Sequence, residues 1–262
     1  MERLFIREKR LERAPERLLG AVGLCRGSGV TAVASSAALF MAEQGFQVRY
    51  TECAEPKMDR GLLYDSAAMS ERFCGRSFCD VYALIAGDAP VPERGNEELG
   101  VDWRIMTPES RDAGLPLTEG ARGRLIRQGM RAEISVFDFD CSGPEWFTYI
   151  RDMDAVLVLV DPLPSRISSG MPVFRKMKSL EQEGRVRIRW IVNRMCGSVS
   201  RRQIRGLIKS REIYWLEDLG RSIFCQNEYH CRFHWENECV REHLEPVFQD
   251  IFSGMNWISD VK

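Results

Sequence analysis

The chain has 262 residues, 44% of them apolar, with 37 Lys and Arg against 38 Asp and Glu for a formal net charge of −1. That length suits an α/β sheet with a sizeable core, and the apolar fraction excludes a disordered chain. The near cancellation of charge excludes wholesale coating of nucleic acid or of an acidic partner and leaves room only for local patches.

Residues 1–17 mix Arg and Lys with Glu and hold no apolar run of the length a signal peptide needs. They read as a charged N-terminal segment, and no secretion is expected. Residues 18–24 (LLGAVGL) form a short apolar run that ends in Arg26-Gly27-Ser28-Gly29, a buried strand entering a tight loop. Residues 31–44 are rich in small helix formers, and Gly45 stands where a helix-terminating glycine belongs. Residues 46–53 (FQVRYTEC) alternate like a second strand, which completes a βαβ unit.

Residues 55–131 have scattered Pro and Gly and too little periodicity to assign elements. Residues 134–138 (ISVFD) are a strand that stops at Asp138-Phe139-Asp140-Cys141-Ser142-Gly143, and residues 154–160 (DAVLVLV) are a stronger one. The longest apolar run, 155–160, is far short of the roughly 20 residues that span a bilayer. A helix over 172–183, a strand over 186–192 ending at Asn193-Arg194, a basic helix over 200–212 and a last short strand over 221–225 complete the reading. Apolar runs without strict alternation, separated by helices, predict a three-layer α/β fold: a mainly parallel sheet with helices on both faces. Nine cysteines, odd in number and scattered, read as reduced thiols in a cytoplasmic chain.

A glycine loop between a strand and a helix aims backbone N–H groups at an anion, and Cys25-Arg26-Gly27-Ser28-Gly29-Val30-Thr31 stands at that position. In the P-loop pattern the last glycine is followed by Lys and then Ser or Thr, the Lys meeting the outer phosphates and the hydroxyl meeting Mg²⁺. Gly29 and Thr31 fit, but Val30 occupies the lysine position. Read by itself, the loop is either a phosphate cradle or a tight structural turn. Asp138 and Asn193 are likewise either ligands or polar residues at strand ends and turns.

Taken in order, the Gly-rich loop, the strand ending in Asp138 with Gly143 beyond it, the stretch DAVLVLVDPLPSR, and Asn193-Arg194 resemble the ParA/MinD family of P-loop ATPases. The arginine and missing lysine of the loop look most like the CpaE/TadZ pilus-assembly branch. The resemblance covers residues 18–194, with a looser fit beyond, and implies one ParA/MinD-like domain over 18–262. It implies that Gly27, Ser28 and Gly29 cradle the phosphates of ATP, with Arg26 and Val30 in the same loop. Thr31 then ligates Mg²⁺, Asp138 holds a Mg²⁺-bound water, and Asn193 with Arg194 faces the base. The family's Asp-x-Asp after the second strand appears as Cys53-Ala54-Glu55, with Glu52 just before it as the acidic candidate for catalysis. The signature lysine falls at Cys25, beside Arg26, whose guanidinium is the candidate replacement but differs in reach and angle. Losing a transition-state cation costs several powers of ten in rate, so slow or absent hydrolysis is expected.

All three histidines, His230, His234 and His243, fall among Cys225, Cys231 and Cys239. If helical, His230 and His234 share a face, as do Cys239 and His243, and both a Zn²⁺ site and ordinary packing beside Tyr229, Phe233 and Trp235 are open. Arg201, Arg202, Arg205, Lys209 and Arg211 give one segment a positive side, which is either a solvated face or a sequence-independent DNA contact of the ParA kind. The C-terminal stretch FSGMNWISDVK is not basic on one face, so a membrane-targeting helix of the MinD kind is not expected. Two functions follow from the resemblance. One is an ATP-dependent homodimeric switch that positions a pilus, secretion or partitioning apparatus. The other is a non-catalytic pseudo-ATPase scaffold that recruits partners without nucleotide.

Overall fold

The computed structural model describes residues 16–54, 78–92, 95–114, 117–127, 132–139, 144–230 and 232–259. Strand β1 (Arg17–Gly23) leads through the glycine loop into helix α1 (Val30–Glu43) and then β2 (Val48–Cys53). The chain continues through α2 (Val81–Ala86), β3 (Glu97–Glu98), β4 (Val101–Arg104), α3 (Pro108–Ala113), α4 (Glu119–Arg127) and β5 (Ile134–Phe139). Then come α5 (Phe147–Ile150), β6 (Ala155–Val160), α6 (Pro164–Glu183), β7 (Arg187–Met195) and α7 (Arg201–Ile208). Last are β8 (Ile213–Glu217), α8 (Arg221–Tyr229), a 3₁₀ turn (His234–Glu236) and α9 (Glu238–Gly254).

The eight strands form one sheet in the order β3-β4-β2-β5-β1-β6-β7-β8, parallel throughout except where β3 meets β4. β1, β5 and β6 lie inside it, which is why they read as continuous apolar runs. Each face of the sheet carries its own core. Leu19, Tyr50, Val136 and Leu157 pack under α1 and α9, while Val22, Phe137, Val158 and Trp190 pack against Met177 of α6 and Ile204 of α7. Alternation along β5 puts Ile134 and Val136 on the α1 face and Phe137 and Phe139 on the other, so Asp138 ends the strand on the side where α1 begins.

Several elements differ from the sequence reading. Helix α6 begins at Pro164 rather than 172, because proline suits the first turn, and it carries Pro172 in its interior. β7 runs on to Met195, so Asn193 and Arg194 lie within the strand, at a register break against β8 where Arg194 takes φ 60°. The basic helix is shorter, Arg201–Ile208, capped by Ser200 accepting from Gln203 N and ended by Lys209 in the left-handed region. Residues 221–225 are the start of α8 and not a strand; a three-residue apolar run, Ile223 to Cys225, does not separate the two states, and the last strand is β8, rich in β-branched and aromatic residues.

Helix α9 closes the α1 face. Phe40 of α1 sits in an aromatic cluster with Trp235, Phe248 and Phe252 at ring distances of 5.8, 5.6 and 5.8 Å. Replacing Phe40 with Ala is expected to lower unfolding stability by about 3–5 kcal/mol in urea titrations, through lost burial plus a cavity; a loss below about 1 kcal/mol would show that α9 does not depend on this contact.

Candidate functional site

The loop after β1 is held at both ends. Leu24 N donates to Leu159 O at 3.0 Å, Ser28 N donates to Cys25 O at 3.3 Å, and Val33 N donates to Gly29 O at 3.1 Å. Gly29 forms the N-cap of α1 at φ 95°, a conformation that favours glycine, and no side chain caps the helix. The first N–H groups of an α-helix have no intrahelical partner, so the loop and helix start together present donors to an anion.

Thr31, in the first turn of α1, donates from Oγ1 to Asp138 Oδ2 at 2.6 Å, and the Tyr50 hydroxyl donates to the same oxygen at 2.9 Å. Asp138 is 7% exposed and stands in register between Ala21 of β1 and Glu52 of β2. Burial first, then the charges of Asp138 and Glu52, hold the Tyr50 pKa well above its usual value, so Tyr50 remains a neutral donor. Glu52 lies beside Asp138 across the strands, but its Oε2 accepts from Met106 N at 3.0 Å. The donor set of one hydroxyl and one carboxylate suits Mg²⁺, which takes few protein oxygens and keeps several waters.

Asn193 reaches the loop from β7: its Nδ2 donates to Ser28 O at 2.9 Å, and its Oδ1 accepts from Arg194 N at 2.9 Å. Arg194 pairs with Asp161 at 3.2 Å. The Arg26 side chain is exposed, and its carbonyl accepts from Arg166 Nη1 at 3.4 Å. Val30 is half-buried and packs on the α1-face core, where it cannot neutralise phosphate. Cys25 is buried; burial and Asp161 raise its thiol pKa, while Arg166 and Arg194 act in the opposite direction.

These residues border a cavity of about 580 Å³. Of the residues singled out from sequence, Glu52, Arg26, Gly27, Gly29, Val30, Thr31, Asp138, Asn193 and Arg194 line it, and Ser28 is buried behind it. Glu55, Asp140, Cys141, Ser142, Gly143, Cys231 and residues 1–15 lie outside the described residues. The opposite wall, Phe224, Phe233, His234 and Leu244, comes from α8, the 3₁₀ turn and α9. Sequence reasoning missed Tyr50, Asp161 and Arg166 as parts of this region. Tyr50 has a signal in lying two residues before Glu52 on the same face of an alternating strand, and Asp161 and Arg166 belong to the DAVLVLVDPLPSR stretch.

The histidines do not share one helix. His230 ends α8, and His234 lies in the 3₁₀ turn with its ring edge-on to Phe224 at 5.0 Å and its pKa lowered by burial. His243 of α9 accepts through Nε2 from Glu217 N at 2.6 Å. Among the described residues no three His, Cys, Asp or Glu side chains converge as a metal site. In α7, the Arg201 and Arg205 guanidinium groups stack on Trp215 at 5.5 and 5.6 Å, and Arg201 also pairs with Glu217. Among the described residues no helix is long and apolar enough to cross a membrane.

A glycine loop over a central parallel strand, an acidic strand end beside it and helices on both faces define the P-loop fold of the ParA/MinD type. No protein-family model matches the chain, and no curated protein sequence matches it. Among solved structures it is similar to a ParA family ATPase from Chlorobium tepidum, with 12% identity, TM-score 0.70, and 90% of this chain and 97% of that one covered. A plasmid partition protein from Borrelia burgdorferi bound to AMPPNP gives 11% identity, TM-score 0.69, and coverage of 92% and 99%. The MinC:MinD cell division complex of Aquifex aeolicus gives 14% identity, TM-score 0.65, and coverage of 94% and 98%. At these identities the likeness is one of fold.

A Cβ at position 29 would sit 2.5 Å from Asn193 Nδ2, on a left-handed backbone. Gly29→Ala is therefore expected to cost about 1–3 kcal/mol in urea unfolding. Wild-type stability in that variant would show that the loop does not hold this conformation.

Proposed function

We propose that this chain is a Mg²⁺-ATP-binding switch of the ParA/MinD type, one P-loop domain over residues 18–262 preceded by a charged segment, acting in the cytoplasm as a nucleotide-dependent homodimer. The carrying observation is that Thr31 Oγ1 and Asp138 Oδ2, from elements 107 residues apart in sequence, meet at 2.6 Å beneath the Gly29 turn. That is the pairing of loop hydroxyl and strand carboxylate a Mg²⁺-nucleotide site requires. The metal, when bound, supplies positive charge to the phosphate oxygens. Gly27, Ser28 and Gly29 would cradle the phosphates, Thr31 would ligate the metal, Asp138 would hold a metal-bound water, and Asn193 with Arg194 would face the base.

Hydrolysis is slow or absent in this reading. Val30 is turned to the core, Cys25 is a buried thiol, and Glu52 is engaged with the Met106 amide. A fold relative carrying AMPPNP and another in complex with MinC support nucleotide and a protein partner for this chain. The loop's likeness to CpaE/TadZ favours a pilus or secretion apparatus over partitioning. Arg201, Arg202, Arg205 and Lys209 offer a non-specific DNA surface, with Arg201 and Arg205 stacked on Trp215.

One observation favours the second reading, a pseudo-ATPase scaffold. Asn193 already satisfies the Ser28 carbonyl, and Thr31 already satisfies Asp138, so these cradle groups have partners without any ligand. Titration with a fluorescent ATP analogue and Mg²⁺, competed by ATP or GTP, separates the two. The switch predicts micromolar binding that is lost in Gly29→Arg and Asp138→Ala, preference for ATP, and a nucleotide-dependent increase in chromatographic mass. No binding up to millimolar ATP would leave the scaffold.

A further inference from the structure

The loop lacks both lysines of the resembled pattern, yet arginines crowd its outer side. Helix α6 packs against the loop's first residue so closely that a Cβ on Gly170 would lie 2.7 Å from the Leu24 carbonyl oxygen. One turn earlier on the same helix, Arg166 donates from Nη1 to the Arg26 carbonyl at 3.4 Å. On the β7 side, Arg194 pairs with Asp161, whose side chain is 4% exposed. Arg166 and Arg194 both act on the thiol of Cys25, so their fields reach the point where the signature lysine would start. Asp161 offsets Arg194, and Arg166 therefore adds positive charge to the neighbourhood of the loop.

Resting on the nucleotide reading above, we propose that Arg166 is a countercharge and positioning residue for the phosphates of a bound nucleotide, in part replacing the absent lysines. The Arg26 carbonyl and the Gly27 N–H belong to one planar trans peptide and point opposite ways. Drawing the carbonyl oxygen toward α6 aims that N–H away from the helix, and Gly27 lines the cavity. The guanidinium thus acts twice, through the loop's shape and through its charge. The effect grows with the number of phosphate charges, so it favours ATP over ADP.

Calorimetric titration of full-length wild type, Arg166→Gln and Arg166→Lys with Mg²⁺-ATP and Mg²⁺-ADP, at low and moderate salt, tests this. Arg166→Gln is expected to weaken ATP binding about 10-fold and ADP binding less, and to flatten the salt dependence. Arg166→Lys should recover most of the ATP affinity, and the urea midpoint should stay at wild type because Arg166 is exposed. Wild-type affinities and an unchanged ATP to ADP ratio in Arg166→Gln would overturn the proposal. Equal losses in the Gln and Lys variants with a lowered urea midpoint would overturn it too, in favour of a purely structural role. If wild type binds neither nucleotide, the nucleotide reading fails and this inference falls with it; wild-type binding with an indifferent Arg166→Gln refutes this inference alone.

Discussion

A carboxylate buried at the end of a central strand must be compensated, and the top of this sheet is organised around that requirement at Asp138. Burial penalises the charged form unless donors or a cation answer it. Here Thr31 from α1 and Tyr50 from β2 both donate to Oδ2. Those bonds fix where α1 starts relative to β5 and β2, and the Gly29 turn then determines where the helix N–H groups point. The loop, the helix start and the acidic strand end are thus one unit, and the Asn193 amide ties β7 into it through the Ser28 carbonyl. Thr31 and Asn193 are already bonded, to Asp138 and to the Ser28 carbonyl, and under the proposed reading a nucleotide would exchange hydrogen bonds rather than simply fill space.

On the proposed nucleotide reading, the chain keeps the parts of a phosphate loop that are backbone geometry and departs in the parts that are charge. Gly27 and Gly29 take positive φ, the helix start lies open to the cavity, and Thr31 retains its hydroxyl. The residue after Gly29 is Val30, which borders the cavity and packs partly on the α1-face core, so it brings no charge there. Binding through backbone N–H groups and a metal needs the first set, whereas rapid phosphoryl transfer relies on the second. Arg166 of α6 bonds the loop's Arg26 carbonyl, and Arg194 of β7 borders the cavity while paired with Asp161.

What the sequence made legible followed from what each residue must do locally. Interior parallel strands are apolar on both faces, so β1, β5 and β6 stood out, and the glycine loop stood out because its backbone demands glycine. β4 (VDWR) was hidden, since its Asp102 and Arg104 are buried polar residues that mimic a surface pattern. The start of α8 resembles a strand because Ile223-Phe224-Cys225 is too short an apolar run to show helical spacing, whereas the apolar face of α9, Val240, Leu244, Phe248 and Ile251, repeats at that spacing. Asn193 and Arg194 stand out as polar residues after an apolar run, yet they lie within β7 at a register break, which the apolar pattern does not show. Tyr50 and Arg166 make their contacts with Asp138 and Arg26 across 88 and 140 positions, and strand alternation places Tyr50 on the face of Glu52 without naming its partner.

The most direct test of the account is amide hydrogen exchange of the full-length protein with and without Mg²⁺-ATP, read over residues 24–33 and 136–139. Exchange is expected to slow in both segments together on adding Mg²⁺-ATP, with the loop and α1 start most affected and no comparable change without Mg²⁺. Unchanged exchange in these segments at saturating Mg²⁺-ATP, or protection confined to another part of the sheet, would contradict a nucleotide site built on Thr31 and Asp138.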